Sequence, residues 1–166
     1  MQKCLTQHLS PKTIMKAIIL FFLAISIGCN MQGQNSGLPD QRPSDLKLYY
    51  HFDGGMVYHF EDITISADSC LYMINDHGKK LEKRFKLTPK EMEELYAILT
   101  TNRFGRIRHR TESGVYDRGG ESIRLEWDKG QQQIGVSNAQ MSFVEKDWIK
   151  EWDTITDYVL NLVKTH

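Results

Sequence analysis

The spacing of the apolar residues changes at Thr88, and that change limits the fold more than any other feature of the chain. Upstream, apolar positions recur every second residue, the period of a strand with one buried face. Leu46, Leu48, Tyr50 and Phe52 alternate with Lys47, Tyr49 and His51. Asp53-Gly54-Gly55 then signals a turn, and Val57 to Ser66 is the expected return strand. Tyr58 and Phe60 share one frame of that return while Ile63 and Ile65 occupy the other, so a bulge is expected near Glu61-Asp62. Cys70–Ile74 and the alternation of Leu81, Phe85 and Leu87 with charged residues predict two further strands, joined by a turn at 75–78.

At Thr88 the period becomes helical. Thr88-Pro89-Lys90-Glu91 has the form of a capping box, with threonine as cap, proline in the first turn and glutamate reaching back. Met92, Leu95, Tyr96 and Leu99 follow on one helical face, and Asn102 is a reasonable stop. Ile123, Leu125 and Trp127 restore period two, and Asp128-Lys129-Gly130 turns the chain toward Ile134 and Val136. A second capping box is expected at Ser142-Phe143-Val144-Glu145. It precedes the stripe Trp148, Trp152, Ile155, Val159 and Leu162. Strands and helices that follow one another without strict alternation predict an α+β domain over 45–166: an antiparallel sheet with two amphipathic helices on one face.

The N-terminal segment carries an address. Lys16 precedes an unbroken apolar run from Ala17 to Leu23, and Gly28 leads into Cys29. A charged start, short apolar middle and small-residue exit make a secretory signal peptide, with Met15 as an alternative start. Ending on cysteine, the segment resembles a bacterial lipoprotein signal, which implies lipidation of Cys29. A membrane span needs roughly 20 apolar residues, more than this run supplies. Residues 1–28 are therefore expected to be signal peptide and 29–44, polar and rich in glycine, proline and glutamine, a lipid-anchored flexible tether.

Charge and cysteine content exclude two classes. Losing Lys3, Lys12 and Lys16 with the signal leaves 18 of the 21 basic residues against 21 acidic ones, a formal charge of −3. Phosphate backbones need a basic surface, so nucleic acid is not an expected partner. With Cys4 removed and Cys29 lipidated, Cys70 has no partner for an internal disulfide, and its apolar surroundings suit a buried strand residue.

Four groups of residues have chemistry to offer. Asp53, Gly54, Gly55 and Met56 at the first turn, and Asp117, Arg118, Gly119 and Gly120 further on, are the expected binding loops. Their glycines permit close backbone approach, Met56 offers an adaptable apolar group and Arg118 a forked donor. Arg106, Arg108 and Arg110 recur at period two, so a strand there would aim three guanidiniums one way, as an anion site or as a charged face that discourages edge pairing. With a turn centred on Gly55, His51 and His59 would face each other across the hairpin, yet no third metal ligand has suitable spacing, so a solvated polar face is expected and no metal or cofactor. Asp117, Glu121 and Ser122 are capable groups beside two glycines but lack any nucleophile-elbow or phosphate-loop pattern. The Trp148/Trp152 pair is expected in the core rather than as a sugar platform.

Two resemblances add to this reading. A signal ending in cysteine followed by one small domain resembles the small lipoproteins of Bacteroidetes. In those systems an acidic cluster after the cysteine routes proteins to the surface. Here Asn30 follows Cys29 and the first acid is Asp40, which implies the periplasmic face of the outer membrane. The order of elements, with Gly54-Gly55, Leu87-Thr88, Phe104, Ile123 to Trp127 and Trp148 to Val159, is similar to emfourin-type inhibitors of thermolysin-like metalloproteases. That likeness implies a protease-inhibitor-like domain and carries over no inhibitory residue. The lack of an assembled catalytic set, joined to a tether that presents the domain, gives the wider expectation of a non-catalytic protein-binding module with an envelope protein as partner. The alternatives are a structural envelope lipoprotein and an enzyme using the Asp117–Ser122 loop.

Overall fold

The computed structural model describes residues 36–166, so the signal peptide and Cys29 lie outside the described residues. Four strands come first: β1 (Lys47–Asp53), β2 (His59–Ser66), β3 (Cys70–Asp76) and β4 (Lys79–Phe85). Helix α1 (Pro89–Thr101) and a short 3-10 turn at Phe104–Arg106 follow. The rest comprises β5 (His109–Thr111), β6 (Gly120–Trp127), β7 (Gln132–Asn138), β8 (Ser142–Val144), a 3-10 turn at Lys146–Trp148, and α2 (Ile149–Thr165). Six strands form one antiparallel sheet in the order β4-β3-β2-β1-β6-β7, while β5 and β8 make a small second ladder. This is the α+β domain that the change of period predicts.

Register sorts the side chains into two faces. Leu48 and Tyr50 of β1 stand opposite Ile65 and Ile63 of β2 and opposite Leu125 and Ile123 of β6, and all six are buried. Met92, Leu95 and Leu99 of α1, with Trp152, Ile155 and Val159 of α2, cover that face and complete one core. Trp152 is 1% exposed and Phe104 0%, as large apolar groups at the centre of such a layer should be. Cys70 is buried and free, and burial pushes its thiol pKa up.

Two local expectations are corrected. No bulge interrupts β2: pairing runs without a break from Lys47↔Ser66 to Asp53↔Phe60. Phe60 simply points to the helix-free face, where its ring stacks on His51 at 6.2 Å, so the change of frame needs no extra residue. The second capping box does not form. Ser142 lies in β8, where its hydroxyl donates to the Ser137 carbonyl at 2.9 Å, and Glu145 pairs with Arg108 at 3.3 Å. Helix α2 instead starts at Ile149, out of the 3-10 turn, with no side-chain cap. The first capping box forms as expected, Thr88 Oγ1 accepting from the Glu91 N–H and Glu91 accepting from the Thr88 N–H.

The packed chain also begins before residue 45. Leu38 packs against the core, Tyr96 donates its hydroxyl proton to the Pro39 carbonyl at 2.5 Å, and Arg42 pairs with Glu93 at 2.9 Å. Gly37 and Gly105 meet backbone to backbone, so closely that a Cβ on either would overlap the other. Residues 36–44, expected as part of a flexible tether, are held along α1 and the 3-10 turn after it.

Candidate functional site

The two loops singled out from sequence are one structure. The β1–β2 loop and the loop entering β6 interlock through their glycines. A Cβ on Gly55 would overlap the Asp117 carbonyl oxygen, and one on Gly119 would overlap that of Asp53. Gly55 also sits at φ +65, a region open to glycine at little cost. Asp53 ties the cluster together, accepting from the Gly55 N–H at 2.8 Å and from Gln140 Nε2 at 3.3 Å. The β7–β8 turn is the third member, its Gln140 N–H donating to the Arg118 carbonyl.

This assembly corrects two assignments. The close approach that the glycines permit is of one loop to the other, not of the backbone to a partner. Arg118 is not an idle fork. Its Nε donates to the Gln140 carbonyl at 3.0 Å, its Nη2 to the Ser142 carbonyl, and its guanidinium lies 4.1 Å over the Phe143 ring. It clamps the tip from beneath.

What the tip displays is apolar. Met56 is 85% exposed and Tyr116 81%, and Val57, Tyr58 and Met141 also stand out to solvent. A cleft of about 280 Å³ between the loops is lined by Asp53, Tyr116, Arg118, Gln140 and Met141, among others. These five side chains stand on the loops that meet at the tip, and large contiguous apolar surfaces on soluble domains mark interaction sites. Of these five residues only Met56 was marked from sequence. Val57 and Tyr58 read there as strand, but β2 starts at His59. The missed signal was Met-Val-Tyr beside two glycines, and Val-Tyr before Asp117: apolar residues inside turn chemistry.

The other candidates disperse. Arg106 lies in the 3-10 turn and only Arg110 of the three is in a strand, so no single stripe forms. Arg108 pairs with Glu145, and Arg110 with Glu112 at 2.7 Å while its guanidinium sits over Phe143. His51 and His59 are not opposite each other, because the loop between β1 and β2 is longer than a turn centred on Gly55 allows. His51 pairs with Asp62, and His59 stands opposite Asp76. His59 bridges Glu61 at 3.0 Å and Asp76 at 3.3 Å, and these bonds, Glu61's foremost, raise its pKa. Among the described residues no three His, Cys, Asp or Glu side chains are placed to hold a metal ion.

Asp117, Glu121 and Ser122 do not converge either. Glu121 follows the core frame of β6, where it is hydrogen-bonded to Tyr50 and Thr156, while Ser122 faces the opposite side of the sheet. Burial raises the Glu121 carboxyl pKa, and the nearby Asp153 and Asp157 charges add to the effect. No protein-family model matches the chain, and no curated protein matches it. Among the described residues no helix is long and apolar enough to cross a membrane.

Proposed function

We propose that this chain is a lipid-anchored envelope protein whose domain acts as a non-catalytic protein-binding module, with the interlocked loop tip as its contact surface. The observation that carries this reading is the display of Met56, Val57, Tyr58, Tyr116 and Met141 on loops already fixed to one another. Aromatic and methionine side chains supply contact area at interfaces, and a fixed backbone reduces the entropy lost on docking. The signal-like segment ending at Cys29 supports the envelope address. The emfourin-like order of elements supports a protease-inhibitor variant of the same reading.

A photo-crosslinking residue placed at Met56 or at Tyr116 in the full chain tests it in the native membrane. Both positions are expected to capture one shared protein, and a control at exposed Lys80 on β4 to capture none. No shared partner at 56 and 116 would overturn the proposal. For the inhibitor variant, the purified chain should slow a thermolysin-like protease stoichiometrically, and Tyr116→Ala should relieve the inhibition.

A further inference from the structure

The helix-free face of the sheet holds a second site that the loop tip does not use. An open groove of about 640 Å³ runs across β2, β1, β6 and β7, with His109 of β5 at its rim. One row of cross-strand neighbours lies along it: Asp62, His51, Ser122 and Ser137. In the next row stand Thr64, Tyr49, Arg124 and Gly135. Gly135 lines the groove without a side chain to occupy it. Nothing in the fold demands glycine at that position. A Cβ there would meet no atom closer than 3.6 Å, and the backbone is not in the left-handed region.

The lining is polar in a particular way. Nδ1 of His51 and the Asp62 carboxylate are hydrogen-bonded at 2.8 Å, which fixes the ring in the groove and leaves Nε2 for a ligand. The hydroxyls of Ser122, Ser137 and Thr64 line the groove, and a hydroxyl both donates and accepts. Arg124 lies 4.6 Å over the Tyr49 ring and pairs with Glu126 at 3.3 Å. An anion would find that one guanidinium already engaged and the Asp62 carboxylate in the same groove. A purely apolar ligand would strip water from hydroxyls and leave them unpaired, at a cost. A neutral ligand rich in hydroxyls, donating and accepting along its length, meets neither objection.

We propose that this groove binds a neutral oligosaccharide, its hydroxyls held by His51, Asp62, Ser122 and Ser137. Asp62, His51 and Ser122 also stand in the order of a nucleophilic triad, but no hydrogen bond joins Ser122 to His51, and the assignment is to binding.

Titration of the full chain in detergent with chitotetraose and with maltotetraose, followed by calorimetry and by the His51 imidazole proton resonances, tests the proposal. At least one of the two should bind saturably and shift His51, while inorganic phosphate and tetragalacturonate should not. Gly135→Leu, which fills the groove, should weaken binding about tenfold or more, equivalent to about 1.4 kcal/mol. Ser122→Ala, which leaves the fold's packing untouched, should weaken it severalfold and keeps the test sound if the leucine variant does not fold. The proposal is overturned if neither neutral tetrasaccharide binds at about 10 mM, an affinity weaker than the millimolar scale of recognition. Binding indifferent to both substitutions, or preferential binding of phosphate or tetragalacturonate, would overturn it too. Crosslinking at the loop tip is independent of every one of these outcomes.

Discussion

Glu121 shows how a single side chain can work against the fold that contains it. It occupies a core-frame position between Tyr50 and Thr156, with Asp153 and Asp157 of α2 nearby. Burial is the largest influence on it, and the folded pKa is raised above the ordinary 4.5. A group of this kind contributes stability below its unfolded pKa and loses it as pH rises through the folded value. Glu121→Gln keeps the hydrogen bonds without the charge, so it should raise the melting temperature at neutral pH. That gain should shrink in acid below pH 4.5, where the native glutamate is protonated in both states. Thermal melts of both proteins from pH 4 to pH 8 check the sign, and an equal Tm throughout would mean that the carboxylate is better solvated than its position implies.

At the scale of elements, the two helix starts separate what the residues reveal from what they conceal. Thr88 is a true cap, and Thr88→Ala should cost about 1 kcal/mol in urea denaturation. Glu91, the other half of the box, has its carboxyl pKa lowered to about 2 by the Thr88 backbone and side-chain bonds, with His166 adding a third. Its contribution is therefore present above pH 4.5 and is lost as pH falls through about 2, so Glu91→Gln should flatten the acid limb of the stability profile. Ser142 has the same local sequence signature, yet pairing between β5 and β8 claims it first. A capping box is a competition between a local bond and a distant one, and only the local competitor is written in the segment itself. The same reasoning explains the hairpin. Alternation fixed the faces of β1 and β2, but the register followed the length of the loop, which residues 54–58 do not declare. It also explains why both loops of the tip were legible as glycine-rich turns while their union was not, since contact between Gly55 and Asp117 is a property of the sheet.

The whole domain rests on one core, and Trp152 lies at its centre. Trp152→Ala should cost about 3–5 kcal/mol, several times the cap, because it removes a large buried group and leaves a cavity. Chemical denaturation of the two variants side by side measures the ratio. Anchoring is tested at the same scale. Cys29→Ala should move the protein from the membrane fraction to the soluble fraction, and mass spectrometry of the native N-terminus should show the acyl groups. An unmodified Cys29 would remove the envelope assignment and leave the loop tip and the groove as features of an unanchored domain.

The packing of residues 36–44 sets a limit on reach. A tether beginning at Cys29 and ending at residue 45 would let the domain range widely, but the chain is already fastened to the domain at Leu38 and Pro39. Six residues lie between Cys29 and Ser36, and that stretch fully extended spans at most about 25 Å. With a lipid on Cys29, the domain works as a short-leashed sentinel, close to the diameter of a small domain from its own bilayer. Whatever it engages must lie beside that membrane or come to it.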